Sequence, residues 1–515
     1  MVFQQPASED SLLRSLSSPY GVIILLWGLC YVWRPLYLGF YSDDYIVLFV
    51  PVTFHPSAEW WNYELNMYPN RILCGVFSYL AVLSLGVNPA AWQTFGAVVV
   101  LVESLLFLQI LQRLNGLQAT KLDAKVITLI ACLWLINPFA FGFTAWPTYM
   151  IANLCVVAFQ LATLAYLSGR VFASCALFAI SCFILEAYYF QFILFLGLSW
   201  IYRDRLSVER GKVLRHLAAF SLIQVSFIVY NRLVQGGVRK SFNLDFVITR
   251  ISNVIQNPQY WWEALIPFAI GLFFMILLVR SVHKIRSQGI EPNQAMMLLV
   301  CCCAALNLLL YLAVGYSLRP FGIASKTMIV ISTLFLFMIF IVAHRFPRRA
   351  YGIVAVLGVC FVPLFAQQTK AWADSWSLQQ EVVRGFPADV VAREGREATV
   401  LAIAPNRVDS VLVFEEPWAL GPALQVHYPV LRRARVEFLT HKFGTFSATR
   451  TVYDGLQVTQ VGRLSGHSQS RSVGEQGLLL WSYYDRSLRR VSAPFVLEED
   501  VSTIRLDSIS TDLIQ

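Results

Sequence analysis

The sequence predicts a mainly α-helical, polytopic membrane bundle of about eleven crossings, followed by a small C-terminal α+β domain. Three observations lead there. Of 515 residues, 57% are hydrophobic and only 14% charged, against about a quarter charged in a soluble globular chain. Apolar runs of spanning length recur up to residue 366. Beyond Phe365 charge returns to ordinary density, and short β-type runs separated by turn residues take over.

In chain order, the first nineteen residues are polar with Arg14 as their single basic residue. The run that follows lacks a small-residue cleavage site and is expected to be retained as the first helix. Spanning runs lie at about 20–40, 91–112, 125–142, 148–168, 171–187, 188–202, 213–231, 263–280, 296–316, 326–343 and 350–366. A further run, Ile72 to Gly86, is apolar but short. If it lies on the membrane surface, the clusters at Arg113–Lys125, Arg170, Arg203–Lys212, Arg280–Arg286 and Arg345–Arg349 all face one side, which the positive-inside rule makes the cytoplasm. Counting it as a crossing would turn every one of them outward. The expectation is therefore a multi-pass protein of the cytoplasmic (inner) membrane whose outer face carries residues 41–90, the Trp146-Pro147 turn, Glu186 to Tyr189, loops 232–262 and 317–325, and everything after 367. Trp60, Trp61, Tyr63, Tyr68 and Trp92 would form an interfacial aromatic belt.

Residues 1–366 thus read as a membrane domain and 367–515 as a soluble extracytoplasmic domain. The latter opens with an amphipathic helix, Trp372 to Val383. Strand-like runs follow at Thr399–Ala404, Val411–Phe414 and Leu478–Trp481, with turn signals at Pro405-Asn406, Gly421-Pro422 and Tyr453-Asp454-Gly455. The net charge of +9 is carried in short clusters between apolar runs, which suits anionic lipid rather than nucleic acid. The ten cysteines sit nearly all in apolar runs with no Cys-x-x-Cys pair, so they read as packing residues rather than disulfides or zinc ligands. No His-Glu-x-x-His spacing or glycine-rich nucleotide fingerprint occurs.

Chemistry is expected where the first run ends, at Tyr41-Ser42-Asp43-Asp44-Tyr45. Ionised groups at the edge of a bilayer cost several kcal/mol unless something there uses them. The plainer reading makes Ser42 a helix N-cap, with Asp43 and Asp44 favourably placed at the positive end of the helix dipole. The polar exceptions inside membrane runs are Arg34, Glu103, Asn137-Pro138, Glu186, Asn307 and Lys326. Arg34 either snorkels to the outer interface or serves function. Glu103 either bonds a neighbouring helix or takes part in catalysis. Arg319 and Lys326, on the loop Ser317 to Lys326, are suited to phosphate, the guanidinium as a bidentate fork and the ammonium as a point charge. Alternatively Arg319 pairs with Asp43, Asp44 or Glu186. His55, Trp146 and Tyr45 complete the candidates. Asp43, Asp44 and Glu186 could offer hard oxygen ligands to a divalent ion, but the chemistry does not require one.

Acids on the first outer loop, cations on a late one, many crossings and an outer soluble domain suggest transfer from a phosphate-activated lipid donor. This arrangement resembles the GT-C superfamily of integral membrane glycosyltransferases, over residues 20–366 in architecture and at Asp43-Asp44 in motif. The resemblance implies an inverting transfer from a polyprenyl-phosphate sugar to an envelope glycan, lipid or protein. It also implies one of Asp43 and Asp44 as base, interfacial helices shaping the acceptor groove, and a basic residue on a later outer loop at the donor phosphate. Topology nominates Arg319, Lys326 or Arg34 for that last role, and Asp44 is favoured as the base with Asp43 orienting the acceptor or a metal. The competing expectations are a transporter or flippase of a lipid-linked sugar, and a polysaccharide polymerase or ligase resting on Arg232, Arg239, Lys240 and Arg250.

Overall fold

The computed structural model describes residues 17–41, 44–69, 71–202, 210–235, 291–313, 325, 328–394, 398–405, 407–408, 411–414, 417–434, 436–441, 448–462, 468–473, 477–498 and 511–513. The predicted span 263–280, residues 236–262 of the loop expected at 232–262, and Ser42, Asp43, Arg319 and Lys326 lie outside them, while 232–235 end the helix Arg210–Gln235 rather than begin a loop. The chain is mainly helical, with strands in its C-terminal region. It divides into two compact units, one made of residues 1–36, 65–81 and 90–369, the other of 37–64, 82–89 and 370–515.

In the first unit, five helical stretches among the described residues are long and apolar enough to cross a membrane: Pro19–Tyr37, Pro89–Gly116, Ala124–Ala145, Pro147–Leu167 and, continuing past the unit, Pro347–Arg384. Six shorter apolar helices accompany them. The first helix packs on Ala124–Leu135, with the Tyr31 hydroxyl donating to the Leu135 carbonyl at 2.6 Å and the Trp27 indole N–H to that of Ala97 at 2.6 Å. Helices Leu154–Leu167 and Val171–Ile184 form a hairpin around Gly169, whose φ of +75° a side chain would resist. Small residues let them close up: Ser174 donates to the Ala162 carbonyl and Ser181 to that of Cys155, each at 2.8 Å. All ten cysteines are free thiols.

The run expected as one span at 125–142 is interrupted. Pro138 has no N–H to continue the helix, and the Asn137 side chain accepts the Phe139 N–H at 3.1 Å. A single 3₁₀ turn and the short helix Phe141–Ala145 follow, before Trp146-Pro147 breaks the chain again. Nearly all of this broken stretch is buried, as membrane-depth backbone with irregular hydrogen bonding must be. Trp92, expected in the surface belt, is also wholly buried, whereas Trp61 is exposed.

In the second unit the expected amphipathic helix is not a separate element. Ala350–Arg384 is one helix of 35 residues, roughly 52 Å long at 1.5 Å per residue. Its C-terminal half buries Trp372, Ser375, Gln379 and Val382 at helical spacing. Among the described residues eleven strands follow, β1 (Thr399–Ile403), β2 (Arg407–Val408), β3 (Val411–Leu412), β4 (Glu437–His441), β5 (Ala448–Tyr453), β6 (Gln457–Gly462), β7 (Ser468–Ser472), β8 (Leu478–Ser482), β9 (Ser487–Val491), β10 (Phe495–Glu498) and β11 (Thr511–Leu513). The first sheet runs β11-β9-β8-β1-β4, with β1 parallel to both β4 and β8; the second is antiparallel, β10-β5-β6-β7. The β1 to β4 crossover carries helices Pro417–His427 and Pro429–Arg433. Both β1 and β8 are buried at every position, as predominantly apolar strands inside a covered sheet are. The turn read at Asp454-Gly455 joins β5 to β6. Asp454 accepts the N–H groups of Leu456 and Gln457, at 2.8 and 2.7 Å, and Gly455 takes a φ of +101°.

Candidate functional site

Two clusters carry the buried polar chemistry, one in each unit. In the second unit, Leu38 to Tyr41 enters a buried turn. The Tyr41 carbonyl accepts the Asp44 N–H at 2.9 Å, and the Asp44 carboxylate accepts the Tyr41 N–H at 2.7 Å, closing the turn from both sides. Asp44 is therefore not a cap on the following helix: it makes no side-chain bond to a downstream amide, and its oxygen faces backwards. The chain then forms the π-helix Tyr45–Phe49, whose wide turn is closed by Val50 N–H to the Tyr45 carbonyl before Pro51.

Asp44 has no exposed surface. The Tyr41 hydroxyl donates to the Trp372 carbonyl at 3.0 Å with the two rings edge to face at 4.5 Å, and the Tyr45 hydroxyl donates to Gln379 Oε1 at 2.5 Å. Burial, then the charge of Asp44 and the neighbouring Tyr41, hold the Tyr45 hydroxyl well above its usual pKa, so Tyr45 is a fixed donor. The Gln379 amide nitrogen is buried without a hydrogen-bond partner. Gly39 admits the aromatic wall, since a Cβ there would stand 2.1 Å from Trp376 Cδ2. His55 does not join this cluster: it pairs with Glu59 at 3.1 Å on a solvent-facing turn.

The following helix, Trp60–Met67, is tied to the π-helix by the Tyr63 hydroxyl, which donates to the Ile46 carbonyl at 2.8 Å. Its one buried residue is Glu64, with no exposed surface and no hydrogen-bond partner for either carboxyl oxygen. Burial pushes this carboxyl up to about 8. Sequence reasoning passed over Glu64. The signal was there in its helical neighbours Trp60, Trp61, Met67 and Tyr68, an apolar surrounding for a lone acid.

In the first unit, Arg34 is the buried cation. Its side chain has no exposed surface, so it does not snorkel to the edge. The guanidinium carbon lies 3.9 Å from the Tyr31 ring centre, 4.5 Å from Phe141 and 5.8 Å from Phe365. Nη1 reaches the carbonyl and hydroxyl oxygens of Thr144 at 3.4 Å each, whereas Nε and Nη2 have no hydrogen-bond partner. No carboxylate pairs with it among the described residues. The broken stretch that holds it also meets Ser325: the Gly142 N–H donates to the Ser325 hydroxyl at 2.9 Å, and Ser325 directly precedes Lys326 in the sequence. Trp146 closes the same stretch, buried against Tyr149 with ring centres 4.7 Å apart. Glu186 begins a short 3₁₀ segment, Glu186–Gln191. Glu103 makes the inter-helix bond that one reading of the sequence allowed, accepting the Trp134 indole N–H at 3.2 Å.

Among the described residues no three His, Cys, Asp or Glu side chains gather as a metal site. The chain matches no protein-family model, and no curated protein is detectably similar to it.

Proposed function

We propose that this protein is an integral membrane glycosyltransferase that moves a sugar from a polyprenyl-phosphate donor to a glycan, lipid or protein acceptor on the outer face of the cytoplasmic membrane. The observation that carries the reading is Arg34. A guanidinium taken wholly out of water, with two of its nitrogens left unpaired, is costly unless an anion completes it. Nε–H and an Nη2–H form the fork that matches two oxygens of a phosphate. The surrounding rings of Tyr31, Phe141 and Phe365 stabilise the cation and exclude water, which strengthens its hold on charge that develops on a leaving phosphate.

In the reaction, the acceptor oxygen bonds the sugar anomeric carbon as the bond from that carbon to the donor phosphate breaks. The lipid phosphate leaves with the electron pair, and the acceptor proton passes to a carboxyl of the first outer loop. Asp44 is set in its turn without a flexible side-chain choice, which suits a charged group of fixed orientation. Arg319 and Lys326 remain assigned to the donor by their place on the outer loop, with Ser325 as that loop's described point of attachment.

The test compares envelope glycans, by mass spectrometry, of cells with the protein, without it, and with Arg34→Ala. Loss of one glycan modification in both altered strains is expected. An unchanged glycan profile in the deletion strain would refute the assignment.

A further inference from the structure

An interfacial helix ordinarily buries its apolar side chains and leaves its acids in water. In Trp60–Met67 the apolar Trp60, Tyr63, Leu65 and Met67 are half-buried and Trp61 is exposed, yet the one side chain the fold fully encloses is the acid Glu64. Nothing described compensates it, since neither oxygen accepts or donates a hydrogen bond. The helix is also anchored to the acidic turn, because the Tyr63 hydroxyl bonds the Ile46 carbonyl two residues after Asp44. Asp44, by contrast, already spends one carboxylate oxygen on the Tyr41 N–H. An acid that is dry and uncommitted, on a helix tied to the segment that carries a committed one, suits a reacting group rather than a structural one.

We infer that Glu64 is a catalytic residue of the transfer reaction proposed above, and that its carboxylate takes the proton of the acceptor hydroxyl. As the acceptor oxygen bonds the anomeric carbon, its O–H bond breaks and the proton moves to a Glu64 oxygen. The electron pair of the broken sugar–phosphate bond leaves with the lipid phosphate, and Glu64 returns its proton to water when product departs. A carboxyl near 8 is a stronger base than an ordinary glutamate and is close to working pH, where general bases are most effective. The other titratable groups on these elements do not substitute for it. Tyr63 is pushed up to about 12 and donates to a carbonyl, Tyr45 donates to Gln379, and His55 is paired with Glu59 at the surface.

This inference rests on the glycosyltransferase reading, and two measurements on the full-length protein in lipid nanodiscs keep the two apart. The first is an infrared titration, which needs no substrate: a protonated carboxyl band should be present at pH 6, vanish with a midpoint near 8, and be missing from Glu64→Gln. A spectrum that Glu64→Gln leaves unchanged would overturn the inference. The second is the pH profile of sugar transfer from a polyprenyl-phosphate sugar to envelope extract. Wild type should gain rate as pH rises to about 8. Glu64→Gln should lose about 10²- to 10⁴-fold with that limb abolished, and Glu64→Asp should recover part of it. Transfer by wild type with a full rate in Glu64→Gln refutes the role of Glu64 alone, whereas no transfer by wild type refutes the parent reading and this inference with it.

Discussion

Replacing Arg34 by Met separates a ligand site from a structural cation. Met keeps the unbranched stem between Tyr31 and Phe141 but removes the charge and all five N–H groups. In the protein without ligand, two buried N–H positions have no partner, a cost of about 1–3 kcal/mol each. Against this stand the cation–ring attraction, about 0.5–2 kcal/mol, and two contacts to Thr144 at 3.4 Å, too long to contribute much. The balance favours the variant by up to about 5 kcal/mol. The assay is thermal unfolding in detergent followed by tryptophan fluorescence, with and without added polyprenyl phosphate. Wild type should melt lower than Arg34→Met alone, yet be the one that ligand stabilises, by about 2.7 kcal/mol at a hundredfold excess over Kd. If Arg34→Met melts below wild type and polyprenyl phosphate protects both equally, the guanidinium is a structural group and the phosphate binds elsewhere.

Gly39→Ala should destabilise the second unit by about 1–3 kcal/mol, because the added methyl would meet the Trp376 ring at 2.1 Å; faster limited proteolysis of the 37–64 segment checks it, and unchanged resistance would contradict the packing. Asp44→Asn should fold normally, because its amide oxygen can still accept the Tyr41 N–H, whereas Asp44→Ala should lose about 1–3 kcal/mol in chemical denaturation; equal stability of the two would deny the turn its carboxylate clasp. For Glu64 the sign follows from a folded value of about 8 above an ordinary value of 4.5. The unfolded chain ionises first, so wild-type stability falls relative to Glu64→Gln between about pH 4.5 and 8, by up to about 5 kcal/mol, and then levels; parallel curves for the two proteins over that range would show that Glu64 ionises freely when folded. A reporter active only in the cytoplasm, fused after Gln515, should be silent, and activity there would invert the outer placement of the tail.

What the sequence made legible, and what it did not, follows from which forces act locally. The break at Trp146-Pro147 was legible as a turn between runs, whereas Asn137-Pro138 stood out as a polar exception inside a run read as one span, although proline removes a helical N–H wherever it stands. Asp44 was marked by its position alone, just past the first run. The direction of its hydrogen bond was not marked, since a capping geometry and a backward clasp use the same Tyr-Ser-Asp-Asp pattern. Arg34 was ambiguous because an arginine two turns from a membrane edge can reach water or be enclosed, and only the rings of Phe141 and Phe365, far away in sequence, decide between them. Glu64 was missed because a lone acid is normally solvated even among aromatic helical neighbours, and its burial depends on what the helix is placed against. The helix Ala350–Arg384 was read as two elements because composition changes near Phe365 while the helical phase does not.

That last helix bears on how the acidic turn exists at all. Composition divides the chain at residue 366, but the contacts group residues 37–64 with 370–515. The bonds behind this join residues more than three hundred positions apart, Tyr41 to Trp372 and Tyr45 to Gln379, with Trp376 packed on Gly39 between them. Local sequence cannot hold the turn. A reciprocal bond between Tyr41 and Asp44 contributes only about 1 kcal/mol per hydrogen bond, and a carboxylate without exposed surface would cost more than that if the turn stood alone. The stripe Trp372, Trp376 and Gln379 supplies the difference by packing on and bonding to residues 39–45. The stripe and the Asp44 turn are therefore one structural object, and the C-terminal region is part of the fold that keeps a buried acid in the first loop rather than an appendage to it.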